Sequence, residues 1–125
     1  MKILIIDDSL LDRRLLMKVI SSSGITVEIV QASDGDEGLK ILSQSSEEIA
    51  LVLLDWQMPK MSGIEVLKAM SKNADFKKIP VIMITASASE DSRQMARDAH
   101  PDLAGYLVKP YKTERLIEMI RLWVK

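Results

Sequence analysis

The 125-residue chain has no cysteine, so disulfides and thiolate metal sites are excluded and the composition is compatible with a reducing compartment. Aromatic residues are scarce, with two Trp, two Tyr and one Phe, so any core must be aliphatic and filled out by its eight Met. Net charge is close to balanced at −1, which gives no global basic excess to attract nucleic acid or an anionic membrane. Long apolar runs are missing as well. Ile3–Ile6 and Leu51–Leu54 fall far short of the ~20 residues of a membrane span and of the roughly 7–15 of a signal-peptide core. No membrane insertion and no direct nucleic-acid binding are therefore expected, and a soluble cytoplasmic protein is the simplest reading. Repeats, low-complexity tracts and Pro/Gly-rich linkers are also lacking, and this length fits one domain.

What is present is an alternation of strand and helix, repeated five times. Lys2–Asp7 is an aliphatic run stopped by acids and predicts a buried strand. Ser9–Ser22 follows as a helix, with Leu15, Leu16, Val19 and Ile20 at helical spacing, Asp8 or Ser9 as its cap and Gly24 at its end. Thr26–Gln31 predicts a second strand and Asp34–Ser43 a second helix, with Leu39 and Leu42 turned inward. Ile49–Leu54 is continuously apolar, as in a strand covered on both faces. Ser62–Ser71, Ser89–Ala99 and Thr113–Val124 complete the helices; Ile79–Ile84 and Ala104–Val108 complete the strands. In the last helix, turning Ile120 inward also buries Leu116, Ile117 and Val124. It leaves Met119 on the flank and Leu122 outside, where with Tyr106 they form a candidate contact surface. The alternation implies an α/β fold with a doubly wound, five-stranded parallel sheet joined by right-handed crossovers. In such sheets the site lies beyond the carboxyl ends of the strands, where strand order reverses.

Four strands deliver polar groups to that edge: Asp7 and Asp8 from the first, Asp55 from the third, Thr85 from the fourth, and Lys109-Pro110 from the fifth. Taken singly, most have plain readings as strand ends, caps or turns. Together, three converging carboxylates call for a cation, and a site with few carboxylates suits Mg²⁺. An ammonium and a hydroxyl beside one carboxylate form a receptor for a phosphoryl group. A dinucleotide site is rejected because the turn after the first strand, Asp7-Asp8-Ser9-Leu10, is not glycine-rich. A haloacid-dehalogenase-like phosphatase would want a second acid two residues after Asp55, where Gln57 stands.

The stretches Ile3-Leu4-Ile5-Ile6-Asp7-Asp8, Leu53-Leu54-Asp55-Trp56-Gln57-Met58-Pro59 with Gly63, Ile82-Met83-Ile84-Thr85-Ala86 and Gly105-Tyr106-Leu107-Val108-Lys109-Pro110 resemble the receiver domains of bacterial response regulators, the CheY-like family. The resemblance spans essentially the whole chain, so residues 1–125 are expected to form one receiver domain with the flavodoxin-like strand order 2-1-3-4-5. It implies that Asp55 accepts a phosphoryl group from a sensor histidine kinase or phosphotransfer protein, with Mg²⁺ (or Mn²⁺) held by Asp7, Asp8, Asp55 and the backbone carbonyl of Gln57. It implies that Lys109 pairs with Asp55 or the phosphoryl group, that the Lys109–Pro110 bond is cis, and that Thr85 and Tyr106 act as the switch pair. Small Ala86 leaves the phosphoryl oxygen room. Gln57 and Ser87 flank the path of the water that later removes the group. The domain would thus be a self-modifying switch rather than a turnover enzyme, and its fourth helix, fifth strand and fifth helix would carry the output to a downstream protein. A stand-alone protein is the default expectation; a receiver trimmed from a longer DNA-binding regulator or hybrid kinase is the alternative.

Departures from the family pattern are confined to the periphery. The interval from Thr85 to Lys109 is slightly long, with Ala99-His100-Pro101-Asp102-Leu103 before the last strand, and His100 is expected at the surface. Tyr111 stands where Phe commonly follows the Lys-Pro pair. Gly38 inside the second helix is expected to weaken it by up to ~1 kcal/mol relative to Ala.

Overall fold

The computed structural model describes residues 1–124. Its strands are β1 (Lys2–Ile6), β2 (Glu28–Ala32), β3 (Ile49–Asp55), β4 (Val81–Thr85) and β5 (Gly105–Val108). Its helices are α1 (Leu10–Ser22), α2 (Gly35–Ser45), α3 (Gly63–Ser71), α4 (Glu90–Ala99) and α5 (Thr113–Arg121), with a 3₁₀ turn at Ser46–Glu48. The five strands form one sheet in the order β2-β1-β3-β4-β5, every pairing parallel.

Side-chain alternation along the strands sorts the core into two layers. Leu4, Ile6, Val52, Leu54, Val81 and Met83 point to one face, where α2, α3 and α4 bring Leu42, Val66, Leu67, Met70 and Ala96. Ile3, Ile5, Leu51, Leu53, Ile82 and Ile84 point to the other, where α1 and α5 bring Leu16, Ile20, Leu116 and Ile120 and the chain just past α5 adds Val124. This explains why β1 and β3 read as unbroken aliphatic runs: both faces are covered. Each fully buried aliphatic side chain contributes about 1.5–3 kcal/mol to folding by its removal from water.

Capping side chains fix where the helices begin. Ser9, Asp34, Ser62 and Ser89 each accept the backbone N–H three residues on, from Asp12, Glu37, Glu65 and Ser92. Four predicted helix boundaries therefore shift by one residue, because those residues are caps rather than first turns. Gly24, with φ +85°, stops the chain after α1. β2 lies two residues later than its β-branched start suggests, and α5 ends at Arg121 rather than Val124.

Several sequence expectations are corrected. His100 is 1% exposed, not a surface residue; it follows α4 directly, and its N–H donates to the Ala96 carbonyl. Leu15 lies outside on α1 while Leu16 and Ile20 go in. Met119 is buried over Gly105 rather than left on the flank, so it does not join the exposed Leu122 in a surface patch. Gly38 is more than a weak point of α2: a Cβ there would overlap the Ile6 side chain, so its absence lets the helix approach β1.

Candidate functional site

The carboxyl edge of the sheet opens where β1 sends the chain outward to β2 and β3 lies on its other side. β1 runs into Asp7, whose N–H continues the ladder to the Ala32 carbonyl at 3.1 Å. The Asp7 carboxylate is buried; its Oδ1 accepts the Ser9 N–H at 2.9 Å. Arg13 secures the same segment, donating Nη1–H to the Asp7 carbonyl at 2.7 Å. Asp8 is exposed beside it. Asp55 is the last residue of β3 and half-buried. Carboxylate oxygens of Asp7, Asp8 and Asp55 lie within 4.8 Å of one another.

Thr85 ends β4 and is buried, with Oγ1 accepting the Ser87 N–H at 3.2 Å. Lys109 follows β5; its N–H donates to the Thr85 carbonyl at 2.7 Å, and its bond to Pro110 is cis. The Lys109 ammonium lies 3.5 Å from Asp7, 3.6 Å from Asp55 and 2.9 Å from Asp12. Gln57 is exposed at the head of the loop after β3. That loop is pinned by the Gly63 N–H on the Trp56 carbonyl at 2.7 Å and contains Lys60 at φ +70°, spanned by a Met61 N–H to Pro59 carbonyl bond, the pattern of a γ-turn.

Burial, and then the neighbouring Asp7, push the Asp55 carboxyl up to about 6, against the pull of Lys109 and the Trp56 N–H. Burial likewise raises Asp7. For Lys109, burial favours the neutral amine, but the hydrogen bond to Asp12 and the charges of Asp55 and Asp7 outweigh it and hold the group above its ordinary value. The cluster thus has an excess of acid that a single ammonium does not quench. Three hard oxygen donors at this spacing fit a divalent cation such as Mg²⁺ or Mn²⁺.

Tyr106 sits half-buried on β5, its hydroxyl donating to the Ser87 carbonyl at 2.9 Å and its ring under the Arg93 guanidinium at 4.9 Å. Ser87 in turn donates to the Ser92 hydroxyl at 2.7 Å, tying the loop after β4 to α4. Ala86 is exposed beside Thr85. Asp12, Arg13, Ser92 and Arg93 escaped the sequence reading, since each sits within a helix and carries no strand-end signal. No helix among the described residues is long and apolar enough to cross a membrane.

The family model for the response regulator receiver domain matches residues 3–121. The chain is 36% identical over 120 residues to the chemotaxis protein CheY of Pseudomonas aeruginosa, covering 96% of this chain and 93% of that protein. Among solved structures it resembles the Mn²⁺-bound form of the response regulator Rcp1, with TM-score 0.79 and 34% identity over 96% of this chain and 88% of that one. It also resembles the CheX–CheY–BeF₃–Mg²⁺ complex from Borrelia burgdorferi, with TM-score 0.85 and 28% identity over 99% of this chain and 90% of that one. Strand order, strand-end chemistry and these likenesses agree, and the chain belongs to the response regulator receiver domain family.

Proposed function

We propose that this receiver domain accepts a phosphoryl group on Asp55 from a phosphohistidine of a sensor histidine kinase or phosphotransfer protein. The observation that carries the reading is the position of Asp55: a strand-end carboxylate within 4.8 Å of two further carboxylates and 3.6 Å from an ammonium. An Asp55 carboxylate oxygen attacks phosphorus, the P–N bond to the donor imidazole breaks, and the imidazole nitrogen keeps the electron pair. A cation bound by Asp7, Asp8, Asp55 and the Gln57 carbonyl would offset negative charge on the phosphoryl oxygens. Lys109 supplies a second positive charge, and buried Thr85 has its O–H free to donate to the new oxygens, a move towards them stretching the bond it accepts from the Ser87 N–H. Small Ala86 leaves those oxygens space.

Movement of Thr85 strains the loop that Tyr106 and Ser92 hold, so the chemical event is coupled to α4 and β5, the surface offered to a downstream protein. The phosphoryl group leaves by attack of an in-line water, whose approach exposed Gln57 and the Ser87 hydroxyl flank. The domain modifies itself and turns over no outside substrate.

The test is intact-mass measurement after treatment with an acyl phosphate and MgCl₂. The wild type gains one phosphoryl group; Asp55→Asn gains none. A full adduct on Asp55→Asn would refute the assignment.

A further inference from the structure

Lys109 makes its shortest charged contact with none of the three clustered carboxylates. Its ammonium donates to Asp12 Oδ2 at 2.9 Å and at greater length to Asp7 Oδ2 at 3.5 Å, while Asp55 Oδ1 stands at 3.6 Å, beyond a hydrogen bond. We infer that Asp12 is a positioning residue that parks the Lys109 ammonium at the rim of the carboxylate cluster, leaving Asp55 open to a divalent cation and to the phosphoryl group. The inference rests on the metal-assisted reading of Asp55 given above.

The local structure of α1 explains why Asp12 is free to do this. Asp12 is the third residue of the helix capped by Ser9, and an acid there ordinarily closes a reciprocal box by accepting the N–H of the capping residue. The equivalent residue of α3, Glu65, does so: its Oε1 accepts the Ser62 N–H at 3.3 Å. In α1 that donor is already taken, because the Ser9 N–H bonds Asp7 Oδ1 at 2.9 Å. The Asp12 carboxylate is released from helix capping and turns instead to Lys109, 97 residues away in sequence.

The consequence is electrostatic. An ammonium seated on Asp55 would occupy the oxygens a cation needs and repel the cation across a few ångströms. With Asp12 as its partner, the ammonium keeps its hydrogen bond and stays a short swing of a flexible stem from Asp55. New phosphoryl oxygens can then draw it across. Asp12 itself touches neither the acceptor carboxylate nor the group it receives; it acts through Lys109.

Titration calorimetry with MgCl₂, with no phosphodonor present, tests this on the whole chain. Asp12→Asn lets the ammonium fall back onto Asp7 and Asp55 and should weaken Mg²⁺ binding roughly three- to tenfold, while Asp12→Glu, which restores the charge, stays within about twofold of wild type. In a Lys109→Met background the same Asp12→Asn change should weaken binding by no more than about twofold, since no ammonium is left to move. Equal weakening in both backgrounds would make Asp12 a general negative charge and overturn the inference, as would unchanged affinity in Asp12→Asn alone. A wild type that gives no Mg²⁺ isotherm would instead overturn the metal-assisted reading of Asp55, and the parking role with it.

Discussion

A carboxyl group pushed up by burial holds its proton more tightly in the folded protein than in the unfolded chain. Asp55, raised from 3.8 to about 6, therefore contributes stability that is complete below pH 3.8 and is lost as pH rises towards 6. Asp7, also raised, acts in the same direction. His100 works with the opposite sign. Burial lowers its imidazole from 6.5, so its contribution is complete above that pH and is lost as pH falls below it. Urea unfolding in a metal chelator should separate the two. Asp55→Asn should be more stable than wild type at pH 7, with the advantage shrinking as pH falls towards 4; a constant offset would show that burial does not set its protonation. Both ring nitrogens of His100 are buried without a hydrogen-bond partner among the described residues. Its replacement by Leu removes that cost and should add about 1 kcal/mol at pH 7. The gain should widen below pH 6.5, and a narrowing would contradict the placement of His100 inside.

Two glycines distinguish helices that can yield from helices that cannot. A Cβ at Gly38 of α2 meets Cδ1 and Cγ1 of the Ile6 side chain, which a twist of about 30° off its rotamer can move aside at about 0.5–1.5 kcal/mol. That cost cancels the ~1 kcal/mol that Ala gains in helix propensity. Gly38→Ala should thus leave stability nearly unchanged, and combining it with Ile6→Val should recover part of the gain relative to Ile6→Val alone. A Cβ at Gly63 of α3 runs into the backbone of Asp55 and Trp56, where no rotamer offers relief. Gly63→Ala should cost about 2–3 kcal/mol and shift Asp55 itself. Urea midpoints would measure both; a neutral Gly63→Ala would mean that α3 is not seated on the end of β3.

The same contrast explains what could be read from the residues before folding. Asp7, Asp55 and Lys109 end strongly apolar runs, so their place at one edge follows from periodicity and from the topology of parallel sheets. Asp12 does not, because an acid three residues after Ser9 reads as part of a helix cap; only the competing Ser9–Asp7 bond frees it. His100 lies beside exposed Pro101 and Asp102 in a segment without periodicity, so nothing local announces its burial.

At the scale of the whole molecule, order runs from the middle of the sheet outward. β1 and β3 lie side by side, each flanked by a further strand, and Ile3 through Ile6 have no exposed surface at all. β5 has four residues and, among the described residues, pairs with β4 alone. α4 is largely polar and places only Ala96 and Ala99 in the core. The carboxylate cluster joins these unequal parts: Asp7 and Asp55 stand at the ends of the middle strands, while Tyr106 and Lys109 belong to the rim. Isotope exchange of backbone amides should reveal the gradient directly. Amides of β1 and β3 should exchange only when the entire chain unfolds, and those of β5 and α4 through smaller openings of lower free energy. The anchored half can then hold its carboxylates still while the rim samples open forms thermally, so a signal has only to reweight fluctuations that the fold already permits.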